Sequence, residues 1–290
     1  MTELNAANAG TYKFDDDFVV NRLGYGTMQL TGPGVFGPFP DKQKAIDVIK
    51  EAPKLGINLI DTADSYGPWF ADRYLGEALR EMPDKGHSIH ISEKVGQLRH
   101  GPGIWIPFGD PKYLRQEVES SLLTLGRDHE ELLFLHRWDT NVPLSEQLGV
   151  LQKMKEEGKI KHIGVSQFSV DDLKAAQKYA DIDAVENLYN VGNHKDDDVV
   201  DYAEKHHMAF LPWFPLDTGK LAGANSPLDK IAKKYNASSA QIALAWLLKR
   251  SPNILPIPGT SNVDHLKDNV AAANVKLSDD DFKTLSNLQK

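Results

Sequence analysis

The sequence predicts an α/β chain closed into a single (β/α)8 barrel (TIM barrel), on three observations. Eight short apolar runs flanked by turn residues, at 23–27, 57–60, 89–92, 132–135, 160–165, 182–185, 208–213 and 254–257, open 33 residues apart on average. That is the length of a strand–helix–strand unit. Helical spacing fills the intervals, as in Leu114, Val118, Leu122 and Leu125 or Leu148, Leu151 and Met154. Alternating strands and helices require a parallel sheet, open or closed. The open sheet's dinucleotide fingerprint fails, because Gly24-Tyr25-Gly26 runs into Thr27, Met28 and Gln29 where a third glycine is needed. Eight repeats favour closure.

Taken in order, residues 11–21 read as a β-hairpin turned by Asp15, Asp16 and Asp17, ahead of the first barrel strand. Asp110-Pro111 is a helix N-cap followed by proline, and Ser169 with Asp172 and Ser278 with Asp281 have capping-box spacing. Gly56, Gly126 and Gly158 each close a helix just before a strand. The interval after Trp213 holds two helix patterns, 227–235 and 238–249, so one helix is extra. A last helix spans about 278–288, and the 290 residues form one domain without a linker.

Composition narrows the function. A formal charge of −8 and a pI near 5.7 argue against nucleic acid or an anionic membrane surface as partner. The absence of cysteine removes disulfides, thiolate metal sites and a cysteine nucleophile. No leader-like segment or bilayer-length apolar run is present, and the expected compartment is the cytoplasm, with no metal and no membrane partner.

In such barrels working residues gather at the C-terminal strand ends. There the sequence places Asp61, Glu93 and Lys94, His136, Ser166 and Gln167, Glu186 and Asn187, then Gly259, Thr260 and Ser261, with Tyr66 on the loop after Asp61. A phenol with a pKa near ~10 donates poorly at neutrality unless a cation lowers it. Lys94 supplies that cation, Asp61 its counter-ion, and His136 an N–H to orient a carbonyl oxygen: a proton-delivery site for reducing C=O. Singly each residue has a plainer reading as a cap, a solvated charge or a core side chain. Gly164-Val-Ser166-Gln-Phe168 is not a nucleophile elbow, and His129 opens no zinc helix. A competing reading casts Asp61, Glu93 and Glu186 as the carboxylates of a glycoside hydrolase but leaves Lys94 and Tyr66 unexplained.

Along nearly its whole length the chain resembles the aldo-keto reductases. The segment Asp61-Thr-Ala-Asp-Ser-Tyr66-Gly67, Lys94 in Ile-Ser-Glu-Lys-Val and His136 in Leu-Phe-Leu-His look like that family's catalytic tetrad in order. Ile257-Pro-Gly-Thr-Ser261 and His265-Leu-Lys-Asp-Asn269 are similar to its cofactor phosphate and adenine loop. The opening Val20-Asn-Arg-Leu-Gly-Tyr-Gly-Thr-Met-Gln-Leu looks more narrowly like the bacterial pyridoxal reductase (pyridoxine 4-dehydrogenase) branch. The resemblance implies an NADPH-dependent reductase of small carbonyl compounds, with NADH the alternative. By it Gly26, Thr27 and Met28 serve the nicotinamide ribose, Ser166 and Gln167 the carboxamide, and Trp213 the ring. Phe214, Leu216 and Lys220 serve the pyrophosphate, Thr260, Ser261, His265 and Lys267 the 2′-phosphate, and Asn269 the adenine. Gly259 stands where some relatives carry a phosphate-binding lysine, and Glu186 where they carry a glutamine. Aromatic residues on the loops, Trp69, Trp105 and Trp138, are expected to wall a flat substrate such as pyridoxal. Some relatives sense the cofactor without catalysis; the full tetrad argues against that role.

Overall fold

The computed structural model describes residues 3–82, 88–216 and 226–288. The hairpin is present: β1 (Thr11–Lys13) pairs antiparallel with β2 (Val19–Asn21), and Asp15 Oδ1 closes the turn by accepting from the amides of Asp17 and Phe18. Strands β3 (Tyr25–Gly26), β4 (Leu59–Asp61) and β5 (His90–Val95) begin the parallel sheet, with α1 (Lys42–Glu51) and α2 (Phe70–Arg80) between them or following. A small antiparallel pair, β6 (Gln97–Leu98) with β7 (Ile106–Pro107), leaves β5 before α3 (Pro111–Leu125). The sheet continues through β8 (Glu130–Leu135), β9 (Ile160–Ser166), β10 (Ile182–Leu188) and β11 (Ala209–Trp213). Helices α4 (Leu144–Glu156), α5 (Val170–Ala176) and α6 (Asp197–Lys205) intervene. Beyond β11 lie α7 (Pro227–Lys234), α8 (Ser239–Arg250), α9 (Val263–Ala271) and α10 (Asp279–Ser286).

All pairings from β3 through β4, β5, β8, β9 and β10 to β11 are parallel. The ring closes through residues 254–259, which form bridges rather than a continuous ladder: Ile254 with Phe210 on one side and Gly259 with Gly26 on the other. The eighth strand expected at 254–257 is therefore a seam. Pro256 and Pro258 have no N–H to give, so they only accept, from the amides of Gly24 and Gly26.

The sequence punctuation has its physical counterpart. Gly56, Gly126 and Gly158 all adopt left-handed φ, between 69° and 79°. Asp110 accepts from the amides of Lys112 and Tyr113, and Ser169 with Asp172 makes a reciprocal capping box. At Ser278 only half of the box forms: its side chain accepts from the Asp281 amide, while its own amide donates to the Tyr235 hydroxyl.

Two apolar layers follow from strand alternation. Outward residues such as Ile91, Leu133 and Val165 pack under the helices. Inward residues Leu59, Leu132, Phe134, Ala184, Leu211 and Ile257 fill the barrel, and Phe18 and Val20 of the hairpin plug its lower end. Gly164 makes room for this filling, because a Cβ there would lie 2.4 Å from the Phe134 ring. With the bottom plugged, the open end is the rim where the strands' C-termini emerge. Left-handed φ occurs there in Val35, Trp69, Gln167 and Phe214, a concentration of backbone strain at one end of the fold.

Candidate active site

A cavity of about 650 Å³ opens at that rim, lined by residues from the ends of several strands. Asp61 ends β4, Lys94 lies inside β5, which runs further than the apolar run at 89–92, and Glu186 lies inside β10; each points inward. Lys94 is fully buried. Its Nζ donates to Asp61 Oδ2 at 2.5 Å and to the Thr62 carbonyl at 2.9 Å, and it stands 3.4 Å from Glu186 Oε2. Ser92 Oγ donates to the other oxygen of Asp61. Burial draws the Lys94 pKa down, but Asp61 and Glu186 outweigh it and hold the ammonium above its ordinary value.

Tyr66 folds back over this ion pair, as the loop from β4 allows, with Lys94 Nζ 5.4 Å from its ring centre. The lowering expected from Lys94 is present but is not the larger effect. Burial raises the phenol, Lys94 offsets part of that, and the net pKa lies above the ordinary value. The phenol is thus fully protonated at neutral pH. His136 follows β8, its ring 6.1 Å from that of Tyr66, and Ser65 Oγ lies 3.2 Å from its Nδ1. Burial keeps this imidazole well below its usual pKa and hence neutral. The tautomer in which the Ser65 hydroxyl donates to Nδ1 is the one that carries the ring N–H on Nε2.

Glu93 does not belong to this group. It lies on the opposite face of β5, where Oε2 accepts from Ser121 of α3. The hydrolase reading is thereby left with Asp61 and Glu186, both held at Lys94.

Of the other expected residues, Gly26, Met28, Trp213, Phe214, Leu216 and Gly259 line the cavity. Thr27 is buried beneath them, its hydroxyl donating to Thr62 Oγ1. Ser166 Oγ accepts from Arg137 Nη1 at 2.7 Å, and the Gln167 amide oxygen accepts from Leu188 N and Trp213 Nε1. The Thr260 hydroxyl accepts from the Asn262 amide and gives its own proton to the Asn262 carbonyl at 3.4 Å, the bond that a phosphate oxygen would replace. Ser261 is half-buried, His265 is exposed, and Asn269 is buried on α9. Lys267 is directed toward Glu51, at 3.7 Å, rather than left free. Lys220 lies outside the described residues.

Of the expected substrate walls only Trp105 lines the cavity, edge-on to Tyr66. Trp69 precedes α2 in a left-handed conformation, and Trp138 packs on Phe168; neither lines this cavity. A position on a βα loop does not say which way a ring turns.

Two arginines had no signal in the sequence. Arg137 lines the cavity beside Trp213, while Arg99 stacks 3.4 Å over Trp105 and donates to the carbonyls of Ser65, Ile104 and Gly34. Arg99 thereby ties three loops together around Tyr66. Among the described residues no cluster of His, Asp or Glu is placed to hold a metal, and no helix is long and apolar enough to cross a membrane.

Known proteins place this geometry. An uncharacterised oxidoreductase of Schizosaccharomyces pombe is 46% identical over 282 residues, covering 97% of this chain and 90% of the other. Pyridoxine 4-dehydrogenase of Escherichia coli is 40% identical over 277 residues, covering 93% and 96%. The crystal structure of a glycerol dehydrogenase from Gluconobacter oxydans superposes with a TM-score of 0.84 at 25% identity, covering 96% and 94%. Residues 22–290 match the Aldo/keto reductase family. The chain therefore belongs to the aldo/keto reductases, nicotinamide-dependent oxidoreductases that act on carbonyl and alcohol groups.

Proposed function

We propose that this protein reduces an aldehyde or ketone with NADPH, Tyr66 acting as general acid, and that a ring aldehyde of the pyridoxal type is its substrate class. The observation that carries this reading is the buried Lys94–Asp61 pair beneath Tyr66, with His136 beside it in one cavity. The residues present suit the cofactor. Gly26 and Gly259 leave bare backbone along the wall, where a Cβ on Gly26 would meet the Ile257 carbonyl at 2.7 Å, and Trp213 offers an indole face. Thr27, Met28, Ser166, Gln167, Phe214 and Leu216 would flank the nicotinamide half. Ser261, His265 and Lys267 at α9, with Asn269, would serve the other end, giving NADPH the better claim than NADH.

A bound reduced nicotinamide supplies the hydride. The protein's own part is position and the proton. His136 Nε2–H and the Tyr66 hydroxyl orient the carbonyl oxygen, Tyr66 transfers its proton as alkoxide character develops, and Lys94 holds the resulting phenolate while Asp61 fixes the ammonium. Trp105 sets a flat wall against the substrate ring. The pyridoxal assignment draws on that wall and on the likeness to a pyridoxine 4-dehydrogenase.

In the test, Tyr66→Phe is compared with wild type for NADPH binding by tryptophan quenching and for pyridoxal reduction by nicotinamide absorbance. Binding within twofold and a kcat lower by about 10²–10⁴ is expected. Near-normal turnover removes Tyr66 from the role of acid, and quenching without wild-type turnover on any carbonyl favours a cofactor sensor.

A further inference from the structure

Glu186 is the buried titratable group of the cavity to which proton delivery gives no task. It lies on β10 between Ser166 of β9 and Leu211 of β11, both uncharged. The charged and titratable groups facing it are Lys94 from β5, Asp61 from β4, Tyr66 from the loop after β4 and Arg137 from the end of β8. Lys94 is already committed to Asp61 and the Thr62 carbonyl, and at 3.4 Å it leaves Glu186 Oε2 without a hydrogen-bond partner. The side chain nevertheless lines the cavity, next to Trp213.

We propose that Glu186 makes the cavity respond to the redox state of its cofactor: the carboxylate favours the cationic oxidised nicotinamide over the neutral reduced one, and binding the oxidised form expels the proton from the acid. This rests on the nicotinamide reading above. Counting charges gives the reason. With Glu186 ionised, one ammonium faces two carboxylates and the trio carries an excess negative charge; with Glu186 protonated the trio is neutral. Arg137 softens that excess without cancelling it, since it forms no ion pair with Glu186 and donates to Ser166 and the His136 carbonyl.

A unit charge in a cavity screened from water discriminates between a pyridinium and a neutral dihydropyridine beside it. Linkage makes the effect reciprocal, so the cation that prefers the carboxylate also lowers its pKa. Burial outweighs the pull of Lys94 and leaves the free Glu186 carboxyl at about 8, which puts the transition within reach of ordinary buffers. Alkaline conditions then retain the oxidised cofactor and favour alcohol oxidation. Acidic conditions release it and favour turnover toward the alcohol.

The experiment titrates wild type and Glu186→Gln with NADP+ and with NADPH at pH 6 and pH 9.5, following tryptophan fluorescence. The 2′-phosphate titrates in both cofactors alike and cancels in the ratio of dissociation constants. In wild type the ratio should move about tenfold toward NADP+ at the higher pH, and in Glu186→Gln it should stay constant. Calorimetry of wild type at pH 8, in two buffers of different ionisation enthalpy, should show proton release with NADP+ and not with NADPH. A wild-type ratio independent of pH overturns the proposal, as does the same pH dependence in Glu186→Gln, or equal proton release with both cofactors. Binding of neither cofactor at either pH sinks the nicotinamide reading itself and takes this inference with it.

Discussion

Glu93 and Lys94 are neighbours in β5, both fully buried, yet the two faces of the strand hold charge in opposite ways. On the inner face the Lys94 ammonium is paired with the Asp61 carboxylate, and Glu186 stands 3.4 Å from it. On the outer side, Glu93 lies in the field of Asp64, Asp72 and Glu130, and Asp64 in that of Glu117. None of these acids makes an ion pair among the described residues, and burial raises the pKa of each. The inner face keeps the Lys94–Asp61 charges because they are paired; the inner Glu186, whose Oε2 has no hydrogen-bond partner, and the unpaired outer acids are all shifted by burial toward the protonated form. Burying a charge is tolerable by either route, but only the first leaves an ammonium available for chemistry.

The largest effect should come from breaking the inner pair. Lys94→Met leaves the buried Asp61 without its paired cation, and chemical denaturation should show a loss of about 3–5 kcal/mol together with loss of carbonyl reduction. Unchanged stability would mean that water or a proton replaces the ammonium at little cost.

The outer face is tested by pH. Asp72 is raised to about 7 and Glu130 to about 8, above the value of about 4 for a carboxyl in the unfolded chain. Each binds its proton more tightly when folded, so the stability it lends is complete below about pH 4 and is lost as pH rises through about 7 and 8. Glu93→Gln keeps an acceptor for the Lys94 amide and removes one of these acids. Its unfolding free energy should exceed wild type by about 1–2 kcal/mol at pH 9, and the difference should shrink toward zero at pH 4. A gain that does not depend on pH would point to packing instead of ionisation.

A smaller effect sharpens the picture at the mouth of the cavity. Arg99→Leu removes the ties to Ser65, Ile104 and Gly34 and the cation over Trp105. Steady-state kinetics should show KM for the aldehyde rising by about tenfold and kcat falling less, because Trp105 is loosened while Lys94 and Asp61 stay in place. A fall confined to kcat would show instead that Ser65 and His136 depend on this clasp.

Much of this was legible in the sequence because strand ends are marked twice, by where an apolar run stops and by the polar residue that follows. Asp61 and His136 were found that way. Lys94 was found although β5 continues past it, since the run of apolar letters breaks before the strand does. The same rule selected Glu93, which a two-residue period turns to the other face; adjacency in sequence is opposition in a strand. Arg99 and Arg137 had no signature, because their roles depend on three loops and a neighbouring serine meeting in space. The direction in which Trp69 and Trp138 turn had no signature for the same reason, and the acid cluster outside the barrel was invisible because its members are scattered along the chain.

The proline-bearing seam at 254–259 bears on how the ring is completed. Its last segment must settle against β3 and β11 with two prolines that give no amide proton, and with two glycines touching at Gly26 and Gly259 where a side chain would wedge the ring apart. The glycine stretch on the cavity wall is thus also a join held by single bridges instead of a ladder. A molecule lying across it would bind both lips of that join and lend the cylinder the cohesion its own peptide groups leave short.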